Sequence, residues 1–225
     1  MMNKVLRFTR LDIITIKPYL TWKVLLLFLA VCALVAYGTG ETSIIIGMCM
    51  MYGVIFASYP FAVGEKNALD TLYLTLPISK KHIVAGRYLF SVFLNLGALI
   101  LSCLLSFIMV NILKREFDWI VNLVSILVCF VLLSLIEAIQ IPIYYKFGYT
   151  KAKILTYLPL IALPATTLIV SAIAGENNLL PILADAMGWL ESNMILALLL
   201  SVIIWAGIML LSAVISYRFY KKREF

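Results

Sequence analysis

The chain has 225 residues, of which 64% are hydrophobic and only 13% charged, and it carries a formal net charge of +7. Soluble domains contain about 25% charged residues, so this composition, with a mean hydropathy of +1.07, excludes an ordinary soluble domain and indicates a membrane protein. The basic excess therefore predicts contact with anionic lipid rather than binding to nucleic acid.

Six apolar runs follow one another along the chain. They are Val24–Tyr37, Ile44–Val63, Tyr88–Leu113, Trp119–Ile143, Ile154–Ala174 and Met194–Tyr217. Most contain about 20 residues, enough to cross a hydrocarbon core roughly 30 Å thick. The first run is shorter and is expected to recruit Tyr19 to Lys23 at its start, with Trp22 in the membrane interface. The pattern predicts an all-α polytopic membrane protein with six transmembrane helices.

The N-terminal arm before the first run predicts an imperfect interfacial helix. Its basic residues project to one side of a helical wheel and its apolar residues to the other, although Leu11 and Ile14 blur the separation. The basic set is Arg7, Arg10 and Lys17, and the apolar set is Val5, Phe8 and Ile16.

The linker after the second run, residues 64–82, is predicted to contain a short amphipathic helix. Asn67 can cap its start, with Asp70 three residues later. Apolar side chains at i, i+3, i+4 and i+7 form one stripe, namely Leu69, Leu72, Tyr73 and Leu76. Such a helix either docks sideways on a cytoplasmic partner or lies on lipid. Ser79 can cap the next helix, which is predicted to run from Lys80 into the third span.

Glu137 is the one clearly ionisable residue inside a predicted span, roughly 9 Å from its cytoplasmic end. Intramembrane acids can mark ion paths, but this depth favours a structural ion pair over a proton relay. Arg87, at the base of the third run, lies at matching depth. We therefore predict an intramembrane ion pair between Glu137 and Arg87.

The linker between the fourth and fifth runs, residues 144–153, is aromatic and basic. Pro142 loosens the end of the fourth helix, and Gly148 permits a tight turn. Four aromatic residues provide rigid contact surface, namely Tyr144, Tyr145, Phe147 and Tyr149. The same composition is also typical of an aromatic belt at the membrane interface.

The distribution of basic residues predicts the topology. Sixteen of the 18 Lys and Arg residues fall on one side of the six runs, since only Lys114 and Arg115 belong to the other side. Cytoplasmic loops retain Lys and Arg, so both termini are expected in the cytoplasm. The outer connection at 175–193 is too apolar for a solvated loop and is either a lid over a path between the spans or a helix resting on the membrane.

One transmembrane domain is expected over residues 1–225. Its parts are an interfacial arm at 1–18, a loop at 64–82, a second cytoplasmic loop at 144–153, an outer helical connection at 175–193 and a basic tail at 218–225.

The residues that metal and nucleotide chemistry need are missing from the sequence. The single histidine, His82, excludes sites built from several histidines, and the four cysteines fall in four different runs without CxxC spacing. No Gly-x-x-x-x-Gly-Lys-Ser/Thr run occurs, so any ATP that powers the protein is hydrolysed by another chain. We therefore expect no catalytic residue, bound metal or cofactor in this chain.

Two motifs carry a resemblance to a known family. The run LYLTLPISKKHIVAGRYLF, at 72–90, resembles the segment after the second span in type 2 ABC permeases, the membrane subunits of exporters driven by a separate ATPase. The run IQIPIYYKFGYTKAK, at 139–153, is similar to the loop between the fourth and fifth spans in a Gram-positive branch of that family. Permeases of phenol-soluble-modulin and other peptide-toxin exporters belong to that branch.

The resemblance implies where an ATPase would bind. Residues 67–76 would form the main coupling helix, with contacts from Asn67, Leu69, Asp70, Leu72, Tyr73 and Leu76. A second, smaller contact would come from Tyr145, Lys146, Phe147, Tyr149 and Lys151. ATP and Mg would be bound by an ABC ATPase dimer, and a second copy or a homologous permease would complete the assembly in the plasma membrane of a bacterium.

These features predict the permease subunit of an ATP-binding cassette exporter. Because the spans contain hardly any charge, an amphipathic or hydrophobic substrate is expected, such as a toxin or antimicrobial peptide. Two alternatives stay open: a non-transporting immunity or sensory partner, and a secondary transporter. The latter is expected to show inverted repeats and several buried ionisable groups.

Overall fold

The computed structural model describes residues 2–39, 43–67, 69, 72–73, 78–113, 119–158, 160–162, 164–166, 169, 188 and 192–222. The helices whose bounds it describes are α1 (Met2–Ile16), α2 (Trp22–Thr39), α3 (Ser43–Lys66), α4 (Lys80–Leu113), α5 (Trp119–Phe147), α6 (Tyr149–Ala152) and α7 (Met194–Lys222), with a 3-10 helix at Lys153–Tyr157 after α6.

Five helices within the described residues are long and apolar enough to cross a membrane: α2, α3, α4, α5 and α7. They coincide with the predicted first, second, third, fourth and sixth runs, so the all-α polytopic fold is confirmed. The predicted fifth run, 154–174, is described only in part, and the count of six spans stays a prediction. Most of the outer connection at 175–193 also lies outside the described residues.

Helix α4 begins at Lys80, as the capping position of Ser79 predicts. The carbonyl of Ser79 accepts a hydrogen bond from the backbone N–H of His82 at 2.9 Å, and its hydroxyl is hydrogen-bonded to the His82 ring. With 34 residues, α4 is about 51 Å long, well beyond the thickness of a hydrocarbon core. Its first turns therefore extend the span into the predicted cytoplasmic side.

The core of the bundle lies around α3, which packs between α4 and α5. Gly53 of α3 makes the close approach to α4 possible, because a Cβ at this position would lie 3.2 Å from the Cβ of Ala98. Helix α7 packs mainly on α5, and α2 touches α3 through the ring contact of Phe28 with Tyr52, whose centroids are 4.2 Å apart. Helices α2 and α7 consequently leave most of their apolar surface exposed.

Helix α1 is amphipathic, and one of its faces is docked on α4. Phe8, Asp12 and Ile16, spaced four residues apart, are buried along this face. Phe8 lies directly against Gly86, where a Cβ would come within 2.7 Å of its ring, and the hydroxyl of Thr9 donates to the Gly86 carbonyl at 3.0 Å. The interfacial placement of the arm stays a prediction, but the wheel pattern did not indicate that α1 packs on the bundle.

Several predicted cytoplasmic segments meet at one end of the bundle, which we call the basic end: the ends of α3, α5 and α7, the start of α4, and α6. The Lys80 ammonium donates to the carbonyl of Lys221 at 3.5 Å, which joins α4 to α7. The backbone N–H of Thr150 donates to the Glu65 carboxylate at 3.0 Å, which joins α6 to α3. This arrangement fits the predicted alternation of sides along the chain.

Candidate functional site

A buried arginine lies at the centre of the basic end. Arg87 is only 4% exposed, and its Nε is 3.9 Å from the Asp12 carboxylate of α1. Its Nη2 donates to the carbonyl of Pro60 at 3.4 Å. Its guanidinium carbon lies 4.1 Å from the ring centroid of Phe61 and 5.7 Å from that of Tyr145. One side chain thereby contacts α1, α3 and α5 from α4.

The physical reason for this arrangement is that a guanidinium cannot lose its charge and must be paired when it is buried. Asp12, 1% exposed, supplies the opposite charge, and the two aromatic faces add cation–π attraction. Gly64 leaves room for the guanidinium, since a Cβ there would lie 3.3 Å from Nη2 of Arg87. Removing either charge would leave the other buried without a counter-charge, which is costly. The contact should therefore hold α1 firmly to the bundle.

The predicted pair between Glu137 and Arg87 does not form. Glu137 is fully buried, and its Oε2 accepts hydrogen bonds from Ser91 at 2.6 Å and Asn95 at 2.7 Å, both on α4. Ser91 and Asn95 follow Arg87 at four and eight residues, so Glu137 meets the same face of α4 deeper in the span. The similar depth of Glu137 and Arg87 in their spans was therefore not enough to predict that they pair. The carboxylate beside Arg87 is instead that of Asp12, which α1 brings there.

A second set of buried hydrogen bonds connects α4, α5 and α7. The Tyr88 hydroxyl lies 2.5 Å from that of Ser212 and 2.8 Å from that of Ser216. The Ser212 hydroxyl donates in turn to the carbonyl of Ala138 at 2.7 Å. Polar side chains thus link these three helices close to the basic end, where hydrogen bonds replace simple apolar packing.

The predicted coupling stripe is divided between the interior and the surface. Tyr73 is buried at 5% exposure, with its ring edge-on to Phe8 at 5.0 Å, whereas Leu72 is 53% exposed. Leu69 is partly buried against the same core, and Asn67 is exposed after the end of α3. The predicted contacts Asp70 and Leu76 lie outside the described residues. Tyr73 therefore anchors the segment to α1, and Leu72 is the side chain of this pair that a partner could reach.

The second predicted contact shows the same division. Tyr145 is buried at 1% exposure, between Phe61, Arg87 and Tyr220, so it faces the interior rather than a partner. Phe147 is 52% exposed. Of the other predicted contacts, Lys146 and Lys151 are exposed and Tyr149 is partly buried.

The turn between α5 and α6 depends on Gly148. Its φ of 80° is in the left-handed region, which glycine adopts without the strain that a Cβ would cause. The tight turn expected here is confirmed, and Pro142 lies inside α5, which continues to Phe147.

Some polar contacts were not predicted, although the sequence contains residues from which they could have been inferred. Asp12 is the only acid of the N-terminal arm, and it lies on the same helical face as Phe8 and Ile16. An acid on an apolar face predicts a buried partner. Ser91 and Asn95, on the Arg87 face of α4, could likewise have indicated a polar stripe.

The fold defines a multi-pass, all-α membrane protein with polar contacts concentrated at its basic end. A family model described as ABC-2 family transporter protein matches residues 9–221, from within α1 to the last turn of α7. The chain therefore belongs to the ABC-2 transporter family, as a permease-type membrane subunit whose family implies an ABC ATPase partner and usually a dimeric arrangement. No curated protein and no solved structure matched the chain.

Proposed function

We propose that this chain is the permease subunit of an exporter that moves an amphipathic or hydrophobic substrate, such as a toxin or antimicrobial peptide, out of a bacterial cell. A separate ATPase dimer hydrolyses ATP, and a second permease completes the path. On the two sequence motifs, we place the chain in the Gram-positive branch that includes permeases of phenol-soluble-modulin exporters. The observation that carries the proposal is that one described residue from each predicted ATPase contact, Tyr73 and Tyr145, is buried in the same apolar core.

The two loops are held to the bundle in the same way. Each has a tyrosine buried in one shared apolar core, Tyr73 in the first and Tyr145 in the second, and each exposes a large apolar side chain nearby, Leu72 or Phe147. Exposed apolar side chains beside basic residues are typical of surfaces that bind a protein. The ATPase would contact Leu72 and Phe147, together with Lys146 and Lys151.

This packing would transmit a displacement from the ATPase to the spans. Movement of the ATPase dimer would displace the first loop, whose Tyr73 contacts Phe8 of α1. Helix α1 is in turn joined to α4 by Phe8 against Gly86 and by the pair of Asp12 with Arg87. Because α4 continues without a break from the basic end through the membrane, a push at its start would move the whole span.

The apolar cavities support the substrate class. One, of about 220 Å³, lies between α2, α3 and α4 and is lined by aromatic residues that include Phe28, Tyr52, Phe56 and Phe93. Another, of about 630 Å³, lies between α3 and α5 and is also lined by Leu160 and Pro164. Neither is lined by a charged side chain, so these spaces suit apolar groups better than a hydrophilic cargo.

The test is purification of the native complex followed by mass spectrometry, and then substitution of the exposed contacts. An ABC ATPase is expected to co-purify with the wild-type chain. Leu72→Asp and Phe147→Asp should each reduce its recovery roughly tenfold, as expected for apolar residues near the centre of an interface. Retained recovery in both variants would count against the coupling assignment.

Leu72→Met and Phe147→Leu serve as matched controls, because they keep an apolar side chain at each position. Both should retain the ATPase. The amount of each variant in the membrane fraction separates a lost contact from failed insertion.

A further inference from the structure

The last turns of α7 carry an apolar surface and a basic surface on the same exposed side. Leu211, Val214 and Ile215 are between 44% and 68% exposed, and Arg218 and Lys222 are exposed further along the helix. These positions are i, i+3, i+4, i+7 and i+11, so they lie on one side of the helix. An apolar surface thus leads directly into a basic one over about 16 Å.

Further basic residues flank the end of α7. The Lys81 ammonium, at the start of α4, lies 5.6 Å from the ring centroid of Tyr217. On the other flank, the Lys146 ammonium, at the end of α5, lies 5.2 Å from the ring centroid of Phe219. Lys221 is exposed in the last turn. Aromatic rings that carry ammonium groups are typical of the membrane interface, where apolar and charged surroundings meet.

The positive charge at the end of α7 is not balanced by acidic side chains within the described part of the chain. That part contains three acidic side chains, and each has a contact elsewhere: Asp12 with Arg87, Glu65 with the N–H of Thr150, and Glu137 with Ser91 and Asn95. In the sequence, no Asp or Glu occurs from 138 to 175 or from 192 to 222, and the one acid that follows, Glu224, comes directly after a further basic residue, Arg223. The partial negative charges at the ends of α5 and α7 offset only a fraction of this positive charge.

We propose that the end of α7, with Lys81 and Lys146 on its flanks, is a binding site for anionic phospholipid. The headgroup phosphate contacts Arg218, Lys221 and Lys222, and an acyl chain lies along Leu211, Val214 and Ile215. The continuity of the basic and apolar surfaces favours a lipid over an acidic protein segment, because a lipid carries both chemistries in the same order along the membrane normal. This proposal depends on α7 spanning the membrane. It shares only the flanking Lys146 with the proposed ATPase contact, and it does not require the export function.

The test is a titration of the purified, delipidated full-length chain with phosphatidylglycerol and with phosphatidylcholine, with bound lipid counted by native mass spectrometry. The wild type is expected to prefer phosphatidylglycerol. Arg218→Gln/Lys221→Gln/Lys222→Gln should weaken its binding roughly a hundredfold, at about fivefold for each basic residue removed. Phosphatidylcholine binding should stay within about twofold.

The matched control is Lys66→Gln/Lys151→Gln/Lys153→Gln, which removes the same charge from exposed residues on the α3 and α6 side of the basic end. It should leave phosphatidylglycerol binding unchanged. Equal weakening in both triple variants, or no preference for phosphatidylglycerol in the wild type, would overturn the proposed site.

Two other occupants are distinguished by also purifying the same variants as native complexes. If the α7 variant keeps its lipid but loses an ATPase or a second copy of the chain, the basic surface binds protein and the proposal is wrong. Should the triple variant fail to fold, Lys221→Gln/Lys222→Gln, confined to the last helical turn, provides the same comparison with an expected loss of roughly 25-fold.

Discussion

At the residue scale, Glu137 illustrates how a carboxyl group is accommodated inside a span. It is fully buried, and the hydrogen bonds that it accepts in the structure come from the neutral groups of Ser91 and Asn95. An isolated ionised carboxylate in such surroundings is costly, whereas a hydrogen-bonded neutral group is tolerated. Glu137 is therefore best understood as a polar contact between α4 and α5.

This interpretation predicts different effects for two substitutions. Glu137→Gln keeps a carbonyl acceptor and should change the free energy of unfolding by less than about 1 kcal/mol. Glu137→Leu leaves the donors of Ser91 and Asn95 without an acceptor, at a cost of about 1–3 kcal/mol for each. Denaturant-induced unfolding of the detergent-solubilised chain measures both. Equal destabilisation by the two variants would show that the negative charge itself is needed.

At the scale of the helices, α1 is fixed to the bundle by a few specific contacts. Phe8 packs on Gly86, and Asp12 pairs with Arg87, which also reaches the Pro60 carbonyl of α3. The outer side of α1, with Leu11 and Ile14, remains exposed. The helix is thus positioned to contact lipid on one side and the start of α4 on the other.

The effect of removing Asp12 on the stability of the chain should depend on whether Arg87 is still present. Asp12→Leu leaves a buried guanidinium without its carboxylate and is expected to destabilise the chain by about 3–5 kcal/mol. The double variant Asp12→Leu/Arg87→Met should recover most of this loss, because no unpaired charge remains. Thermal unfolding of both variants and the wild type measures the difference.

Arg10→Leu is the control for this comparison, since Arg10 is exposed on the outer side of α1. It should change stability by no more than about 0.5 kcal/mol. If the double variant were as unstable as Asp12→Leu alone, packing rather than charge would explain the effect.

At the scale of the whole molecule, the basic end joins the segments that the charge distribution assigns to the cytoplasm. The contact of Lys80 with Lys221 and that of Glu65 with Thr150 are direct evidence that these segments are neighbours. The distribution of Lys and Arg predicts that these segments face the cytoplasm.

Cysteine labelling tests that orientation. In a chain whose four native cysteines are replaced, Lys222→Cys should react with a membrane-impermeant maleimide only after cell lysis. Lys114→Cys, on the opposite side of the predicted arrangement, should react in intact cells. The reverse pattern would invert the topology and remove the basic end from contact with any cytoplasmic ATPase.

Sequence information was sufficient for the features that depend on local chemistry. Long apolar runs predicted the spanning helices because backbone polar groups must be satisfied within the membrane. Ser79 predicted the start of α4, and Gly148 predicted the turn that follows α5, since capping and left-handed φ depend on single residue types. Family membership was indicated by two loop motifs and was confirmed by the match over residues 9–221.

Only the tertiary structure decided which side chains face one another. Depth along the sequence suggested Glu137 as the partner of Arg87, but the docking of α1 brought Asp12 to that position. Helical periodicity placed Leu72 and Tyr73 in one apolar stripe, and packing against Phe8 then buried Tyr73 and left Leu72 exposed. Periodicity determines the faces of a helix, whereas the partner of each face is determined by how helices distant in sequence pack together.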